Sequence, residues 1–310
     1  MSRPVPEERP ADQTYGPVQV LFGEAGGRYP DGNTLWVAGD RESLLIDPSL
    51  GLIARGAGRP QVDRVVLSHC HEDHIAGCHL YPDVPLHVHE ADRHGLSSLD
   101  AMLEIYSYGG AIEEAFRTVL VERFHYVARP DAQTFRDGSV FDLGGVTLRA
   151  IHTPGHTRGH CCLQIEWRES GAPRRLVYLG DIDLTRFGPY YGDAWSDLED
   201  FERSLSLVRE IEADWYATFH HIGVLEEREA FITRLDIFEG AIARRERALL
   251  EFLYEPHDLH EVVAHRFVYR PKDPVAFADA VERRSMSMHI ERLLGRGTLR
   301  AVDGHRFVVA

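Results

Sequence analysis

Between Leu67 and Gly77 the chain reads LSHCHEDHIAG, which crowds His69, His71, Asp73 and His74 together directly after an apolar run. Withdrawing so many polar side chains from water is costly unless each is paired, and the most economical partner for them all is a divalent cation. His69 and His71, two apart in an extended segment, project to the same side, and Asp73 and His74 follow where the chain turns into a helix. The spacing H-x-H-x-D-H can serve two neighbouring ions from one loop, the bland alternative being a solvated polar loop. Cys70 alternates to the opposite side and reads as a packed small side chain.

The elements that must position this loop are legible around it. VDRVVLS (Val62 to Ser68) is a β-rich run that ends where the ligands begin, and VQVLF (Val18 to Phe22), TLWVA (Thr34 to Ala38), SLLID (Ser43 to Asp47) and PLHVH (Pro85 to His89) are further strands. From Leu96 to Val127 apolar residues recur at helical spacing with a break at Gly109 and Gly110, which predicts a helical insertion. Strands return in SVFDL, VTLRAIH, CCLQIEW and RLVYLGD, with turns at Asp137-Gly138 and Gly144-Gly145. A helix from about Leu198 to Glu212, a strand WYATFHH (Trp215 to His221) and a helix to about Leu253 follow. The tail SMSMHIERLLGRGTLRAVDGHRFVVA then predicts a helix and a hairpin turning at Asp303-Gly304, the outline of a winged helix.

With these elements in order, the chain resembles the metallo-β-lactamase superfamily, over roughly Val18 to Gly240. RAIHTPGHTRGH (Arg149 to His160) supplies PGHT, whose His156 the resemblance makes the third ligand of the first metal. LVYLGDIDL (Leu176 to Leu184) supplies a Gly-Asp at a strand end, where Asp181 looks like the carboxylate bridging both metals and is preferred over Asp183. WYATFHHIGV supplies the last histidine, and the family's spacing favours His221, with His220 as the alternative. The expected set is thus His69, His71 and His156 on one metal, Asp73, His74 and His221 on the other, and Asp181 between them. Nitrogen and oxygen ligands without thiolate suit two zinc ions, with iron or manganese as alternatives. Such a pair would share a water, lower its pKa toward neutrality and polarise the substrate oxygen, with Asp73 accepting or returning the proton. His152 and His160 flank PGHT and are candidates for fixing a ligand ring.

The implied fold is the α/β metallo-β-lactamase αβ/βα sandwich with a small C-terminal winged-helix-like extension. Expected boundaries are 1–16 for a mobile N-terminal tail, 17–243 for the catalytic domain with its insertion at about 96–127, and 244–310 for the C-terminal module. A 44% hydrophobic, 27% charged chain is globular in composition. It has no membrane-length apolar run, and its opening residues lack the apolar centre of a secretory signal, so a cytoplasmic protein with no membrane partner is expected. The four cysteines form no CxxC pair and read as reduced thiols.

The net charge of −15 disfavours nucleic acid. Charge is uneven, however: 12 basic and 10 acidic residues lie from Arg244 onward, against 22 and 39 before it. A group of β-lactamase-like endoribonucleases ends in a similar module, so a nuclease acting on single-stranded RNA is the rival reading, with Arg283, Arg284, Arg292, Arg296 and Arg300 as contacts. A mononuclear iron persulfide dioxygenase is a further alternative. The main expectation is a hydrolase in which a metal-bridging hydroxide attacks a small ester, thioester or lactone. LTRFGPYYGDAW (Leu184 to Trp195) would lie over the metals, where Tyr190 or Tyr191 could donate to a developing oxyanion. The insertion would wall the cleft or form a homodimer face. Acyl-homoserine lactonases carry a tyrosine three residues after the bridging Asp, where this chain has Leu184, and the basic patch with lysine that glyoxalase II uses has no counterpart, since the only lysine here is Lys272.

Overall fold

The computed structural model describes residues 9–310. Its first sheet runs in the order β1 (Gln13–Tyr15), β2 (Val18–Leu21), β3 (Thr34–Ala38), β4 (Ser43–Ile46), β5 (Arg64–Val66), β6 (Leu86–His89) and β7 (Gln133–Phe135). The first four strands pair antiparallel, and β4 through β7 pair parallel. Of the N-terminal tail expected over 1–16, the structure describes the last part. Residues 1–8 of it lie outside the described residues, but β1 is laddered onto β2, and Asp12 accepts two hydrogen bonds from Arg55, so this stretch is anchored.

The second sheet is formed by β8 (Val140–Asp142), β9 (Val146–His152), β10 (Cys161–Glu169), β11 (Ala172–Tyr178), β12 (Trp215–Ala217) and β13 (Val224–Leu225), which lie side by side in the order β13-β12-β11-β10-β9-β8. Side chains alternate across each strand, and here both sides are apolar. Leu44 and Ile46 face inward and meet Leu148, Leu163 and Leu176 of the second sheet in a shared core. Leu45 between them faces outward.

That outer face is covered by α3 (Leu99–Tyr106) and α4 (Gly110–Glu122) of the insertion, which follow two one-turn helices, α1 (Leu50–Ile53) and α2 (Glu72–Ile75). Ser98 caps α3 by accepting from the Ala101 amide. The outer face of the second sheet packs Val177 and Tyr216 against Phe201 and Leu205 of α5 (Leu198–Arg209) and Phe231 and Phe238 of α6 (Arg228–Phe252). Helix, sheet, sheet, helix is the αβ/βα sandwich. No helix among the described residues is long and apolar enough to cross a membrane.

The boundary expected at 243/244 falls inside α6, which is continuous for 25 residues. Its buried stripe passes from the sheet, through Phe238 and Ile242 and then Arg245, into a separate small core around Leu249 and Leu253. That core also takes in α7 (Leu259–His265), capped by a reciprocal Asp258–Glu261 box, and α8 (Ala278–Gly295). Helix α8 leads into the hairpin β15 (Leu299–Val302) and β16 (Arg306–Val309), with β14 (His257–Asp258) added on the far side of β16. The C-terminal segment is thus welded to the sandwich by a shared helix.

Candidate metal centre

The chemistry-bearing residues converge at the carboxyl ends of the strands, from both sheets. Asp47 ends β4, the motif ends β5, Asp181 follows β11 and His220 follows β12, while His156 and His160 lie on the β9–β10 loop. Strands packed parallel deliver their carboxyl ends to one rim, and in open α/β sheets that rim is where crevices form. The strand expected over Val62 to Ser68 shortens to Arg64–Val66, because the chain leaves the ladder early to present His69 and His71 before α2.

His69 Nε2 and His71 Nδ1 lie 3.1 Å apart, and His156 Nε2 lies 3.1 Å from Asp181 Oδ2. The other carboxylate oxygen of Asp181 is 2.9 Å from His74 Nε2 and 3.7 Å from His220 Nε2, and His220 Nε2 is 3.1 Å from Asp73 Oδ2. Among the described residues two groups face the cleft, His69, His71, His156 and Asp181, and beside them Asp73, His74 and His220, with a third, Asp47, His69 and His74, behind them; the ligand atoms of each lie within 4.8 Å of one another. Asp181 turns one oxygen to each of the two that face the cleft.

A neutral imidazole has one N–H and one lone pair, so the partner of the outer nitrogen decides what the inner nitrogen offers. His69 Nδ1 meets Ser68 Oγ at 3.0 Å, His74 Nδ1 meets Asp47 Oδ2 at 2.7 Å, His156 Nδ1 meets the Tyr190 carbonyl at 2.9 Å and His220 Nδ1 meets the Gly27 carbonyl at 2.8 Å. Each outer nitrogen is therefore the donor, and four lone pairs are left aimed inward. His71 Nε2 lies 3.2 Å from Asp193 Oδ2. Two nitrogen lone pairs 3.1 Å apart repel unless something positive sits between them, and His156 Nε2 is buried without a hydrogen-bond partner. This donor set fits a pair of divalent cations, and the partners are those that orient metal-ligating histidines.

The electrostatics agree. Burial works against charge on His220, but the carboxylates of Asp181 and Asp73 outweigh it and push the ring up to about 9. Burial likewise opposes charge on Asp181, yet His74 and His220 hold its carboxyl well below the usual range. The carboxylates here demand positive charge, from protons if not from metal. His160, by contrast, is pushed down to about 3 chiefly by burial, and its Nε2 accepts the backbone N–H of Asp181 at 3.2 Å. It fixes the main chain of the central carboxylate, an arrangement that requires Gly180: a Cβ there would stand 2.6 Å from His160 Nε2.

The structure separates the alternatives left by the sequence. His220, not His221, faces Asp73 and Asp181. A tight turn after β12, with Ile222 N–H donating to the His220 carbonyl at 2.7 Å, puts His221 in the left-handed region (φ 61°) with its side chain at the cleft mouth, outside both groups. Asp183 is occupied by the amide and hydroxyl of Thr185, and burial raises its carboxyl to about 6. Tyr190 lines the cleft and donates to Asp193 Oδ1 at 3.1 Å, but Tyr191 does not reach it: that ring is buried and its hydroxyl donates to His289 Nε2 at 2.9 Å. His152 binds the Arg158 carbonyl and stacks on His89, away from the ligand rings.

Sequence reasoning missed three carboxylates. Asp47, wholly buried, accepts from Ser68 N–H, Ser68 Oγ, His74 Nδ1 and Tyr178 Oη, which occupies it fully as an orienting group. Asp92 accepts from Thr157 Oγ1 and Gly159 N–H at 2.7 Å each and so ties the PGHT loop to the Cys70 amide. Asp193 stands behind His71. For Asp47 the signal was available, a lone acid ending the apolar run SLLID. Asp92 and Asp193 sit in ordinary loop sequence. Over the two groups opens a cleft of about 220 Å³ lined by residues of the loop after β11, the insertion and the C-terminal segment.

A four-layer αβ/βα sandwich with histidine and aspartate ligands gathered at the strand ends defines a metal-binding hydrolase class. The family model of the metallo-beta-lactamase superfamily matches residues 28–236, and the chain belongs to that superfamily. Among solved structures it is similar to a metallo-beta-lactamase family protein from Thermus thermophilus (TM-score 0.67, 23% identity, 96% of this chain and 99% of that one). It is similar too to a beta-lactamase domain protein from Burkholderia ambifaria (TM-score 0.67, 18% identity, 100% of this chain and 95% of that one). Among curated proteins it is 31% identical to an uncharacterized protein of Mycobacterium tuberculosis over 47% of this chain and 64% of that one. It is 27% identical to the atrochrysone carboxyl ACP thioesterase of Passalora fulva over 67% of this chain and 53% of that one. The chain thus spans between half and two thirds of the length of these curated relatives.

Proposed function

We propose that the protein is a dinuclear metal hydrolase acting on a small ester, thioester or lactone. The observation that carries this reading is Asp181, with one oxygen toward His156 and the other toward His74, between two ligand groups whose histidines turn a ring nitrogen inward and have the other nitrogen held from outside. The residues that would hold the ions are His69, His71 and His156 on one side, Asp73, His74 and His220 on the other, and Asp181 shared. Zinc suits these ligands best. Bound there, the ions supply a hydroxide nucleophile at neutral pH and polarise the scissile carbonyl.

The chain's own part is positional and proton-handling. Asp73, held by His220, faces the space between the two groups, and its carboxylate is the base that takes the proton and returns it to the leaving group. Tyr190, on the cleft wall, is the donor closest to hand for a developing oxyanion, provided its hydroxyl turns from Asp193. The thioesterase among the relatives favours a thioester within the proposed range. A nuclease reading is weakened by the arginines it needs. Arg292 is buried between Glu202 and Glu246, and Arg284 is spent on the carbonyls of Ser107 and Gly192. A mononuclear iron enzyme would leave Asp73, His74 and His220 without a task.

Two measurements test this reading together. Elemental analysis is expected to give two zinc per chain, and Asp73→Ala is expected to abolish hydrolysis of an ester and thioester panel with the thermal melt retained. A folded, active D73A enzyme, or a preparation with one iron per chain, refutes the proposal.

A further inference from the structure

The cleft above the ligand groups is walled by rings and contains no cationic side chain of lysine or arginine among its lining residues. Its charged side chains are all acids besides the histidines, and each acid is committed. Glu72 accepts from Tyr29 and Tyr106, Asp183 from Thr185, and Asp193 stands against His71, while Asp73 and Asp181 belong to the metal groups. Away from the ions themselves, a carboxylate or phosphate on the acyl part of a substrate would find no lysine or arginine to pair with and only committed acids nearby. Coulombic repulsion and lost hydration would both count against it.

The rings come from four separate parts of the chain, the first giving Tyr29 before β3. Tyr108 and Phe116 belong to the insertion, Phe187 to the loop after β11, and Tyr269 and Phe277 to the C-terminal segment. Phe277 lies flat against Tyr108, with centroids 4.9 Å apart and planes within 6°, and Phe116 meets Tyr108 edge-on at 5.3 Å. Tyr269 leans on Phe187 at 5.8 Å. Rings in such stacked and edge-on arrays present flat faces and positive edges, which a planar aromatic group matches better than a branched aliphatic one. The cavity, at about 220 Å³, falls below the ~300–1,000 Å³ typical of sites for drug-sized ligands, so it accepts one small ring system.

We infer that this cleft selects an uncharged substrate with a flat aromatic acyl group, and that Tyr269 and Phe277 of the C-terminal segment are the residues that set the preference. The inference rests on the hydrolase reading for its chemistry: water adds to the acyl carbon, the carbon–sulfur or carbon–oxygen bond breaks, and the thiol or alcohol leaves with a proton. Selection itself is a binding property. Both residues are only partly buried, so truncating either leaves the cores intact.

The test is calorimetric binding to the zinc-loaded full chain, with non-hydrolysable ketone analogues of acyl-N-acetylcysteamine thioesters carrying naphthyl, carboxynaphthyl or methyl acyl groups. The naphthyl ketone is expected to bind at least about tenfold tighter than either other ketone, and Tyr269→Ala and Phe277→Ala are each expected to cut the naphthyl-to-methyl ratio about fivefold, with Phe277→Tyr restoring it. Equal binding of the three ketones, tighter binding of the carboxylate, or an unchanged ratio in both alanine variants overturns the inference. Hydrolysis of the matching thioesters is read separately. Ring selectivity without turnover of any thioester or ester would refute the hydrolase reading alone, and turnover without ring selectivity would refute this inference alone.

Discussion

Asp47 offers the sharpest test of how the centre is held, because it touches His74 only at the outer nitrogen and reaches His69 only by way of Ser68 Oγ. Consider Asp47→Asn, which keeps the shape and removes the charge. Oδ2 accepts from Ser68 Oγ, His74 Nδ1 and Tyr178 Oη, the last two at 2.7 Å, and the amide oxygen can take over that role; Oδ1 accepts the Ser68 N–H at 2.7 Å, and there the amide NH2 would oppose a donor with a donor. One buried N–H left unsatisfied costs about 1–3 kcal/mol. Three hydrogen bonds to a charged acceptor become three to a neutral one, a loss of about 1 kcal/mol each at most. The fold should therefore lose about 2–5 kcal/mol and remain folded, melting roughly 5–15 °C lower. His74 also loses one of the carboxylates that, after Asp181, make it more basic, and removing such an outer partner costs about 10–100-fold in metal affinity. In a chelator-competition titration with zinc, the second equivalent should weaken by that factor while the first, held by His69, His71 and His156, changes less. If D47N melts lower yet binds both equivalents as the parent does, Asp47 is a structural residue only and the account of His74 is wrong.

Two further outcomes follow from the same geometry. His220→Ala is expected to bind one zinc fewer per chain and to lose hydrolysis, whereas His221→Ala keeps both ions and at least half the activity; the reverse pattern in elemental analysis would reinstate His221 as the ligand. Burial pushes His87 and His89 on β6 down to about 4, so both are neutral in the fold. The unfolded chain takes up these protons first, near pH 6.5, so the stabilisation is complete above that pH and is lost as pH falls toward 4, by about 2–3 kcal/mol per ring. Urea melts of the chelator-treated protein at pH 7 and pH 4.5 should show that difference, and His87→Leu should remove part of it; an unchanged slope in H87L would count against it.

What the sequence disclosed and what it hid divide along physical lines. The motif from His69 to His74 was legible because local spacing alone sets it on one loop, and the strands around it were legible because sheets buried on both faces give unbroken apolar runs such as SLLI. His220 against His221 was not legible. Adjacent residues in a turn point in different directions, and only the backbone at φ 61° on His221 decides which one turns inward. Tyr190 and Tyr191 posed the same problem, one ring facing the cleft and the other drawn into a buried pair with His289, a residue 98 positions away. The expected boundary at 243/244 lies within α6 for a different reason: an amphipathic helix can serve two cores in succession, and nothing in the composition of α6 marks where one ends.

The loop from Leu184 to Trp195 explains why the C-terminal segment and the metal site form one working unit. Its Tyr190 carbonyl takes the outer N–H of His156, and its Asp193 stands behind His71, so two of the ligand rings are oriented from this loop. The loop has no regular secondary structure of its own and must be held by something else. Arg245 of α6 donates to the carbonyls of Pro189 and Phe187, Arg284 of α8 to that of Gly192, and the Tyr191 ring is locked between Arg245 and His289. Five N–H donors in a rigid fork let one buried arginine fix two carbonyls of an irregular backbone, which a lysine could not do with the same geometry. Helices α6 and α8 therefore set the position of the orienting groups on one side of the metal centre, while Tyr269 and Phe277 from the same segment close the cleft above it. Ligand geometry and substrate shape are governed by one set of contacts.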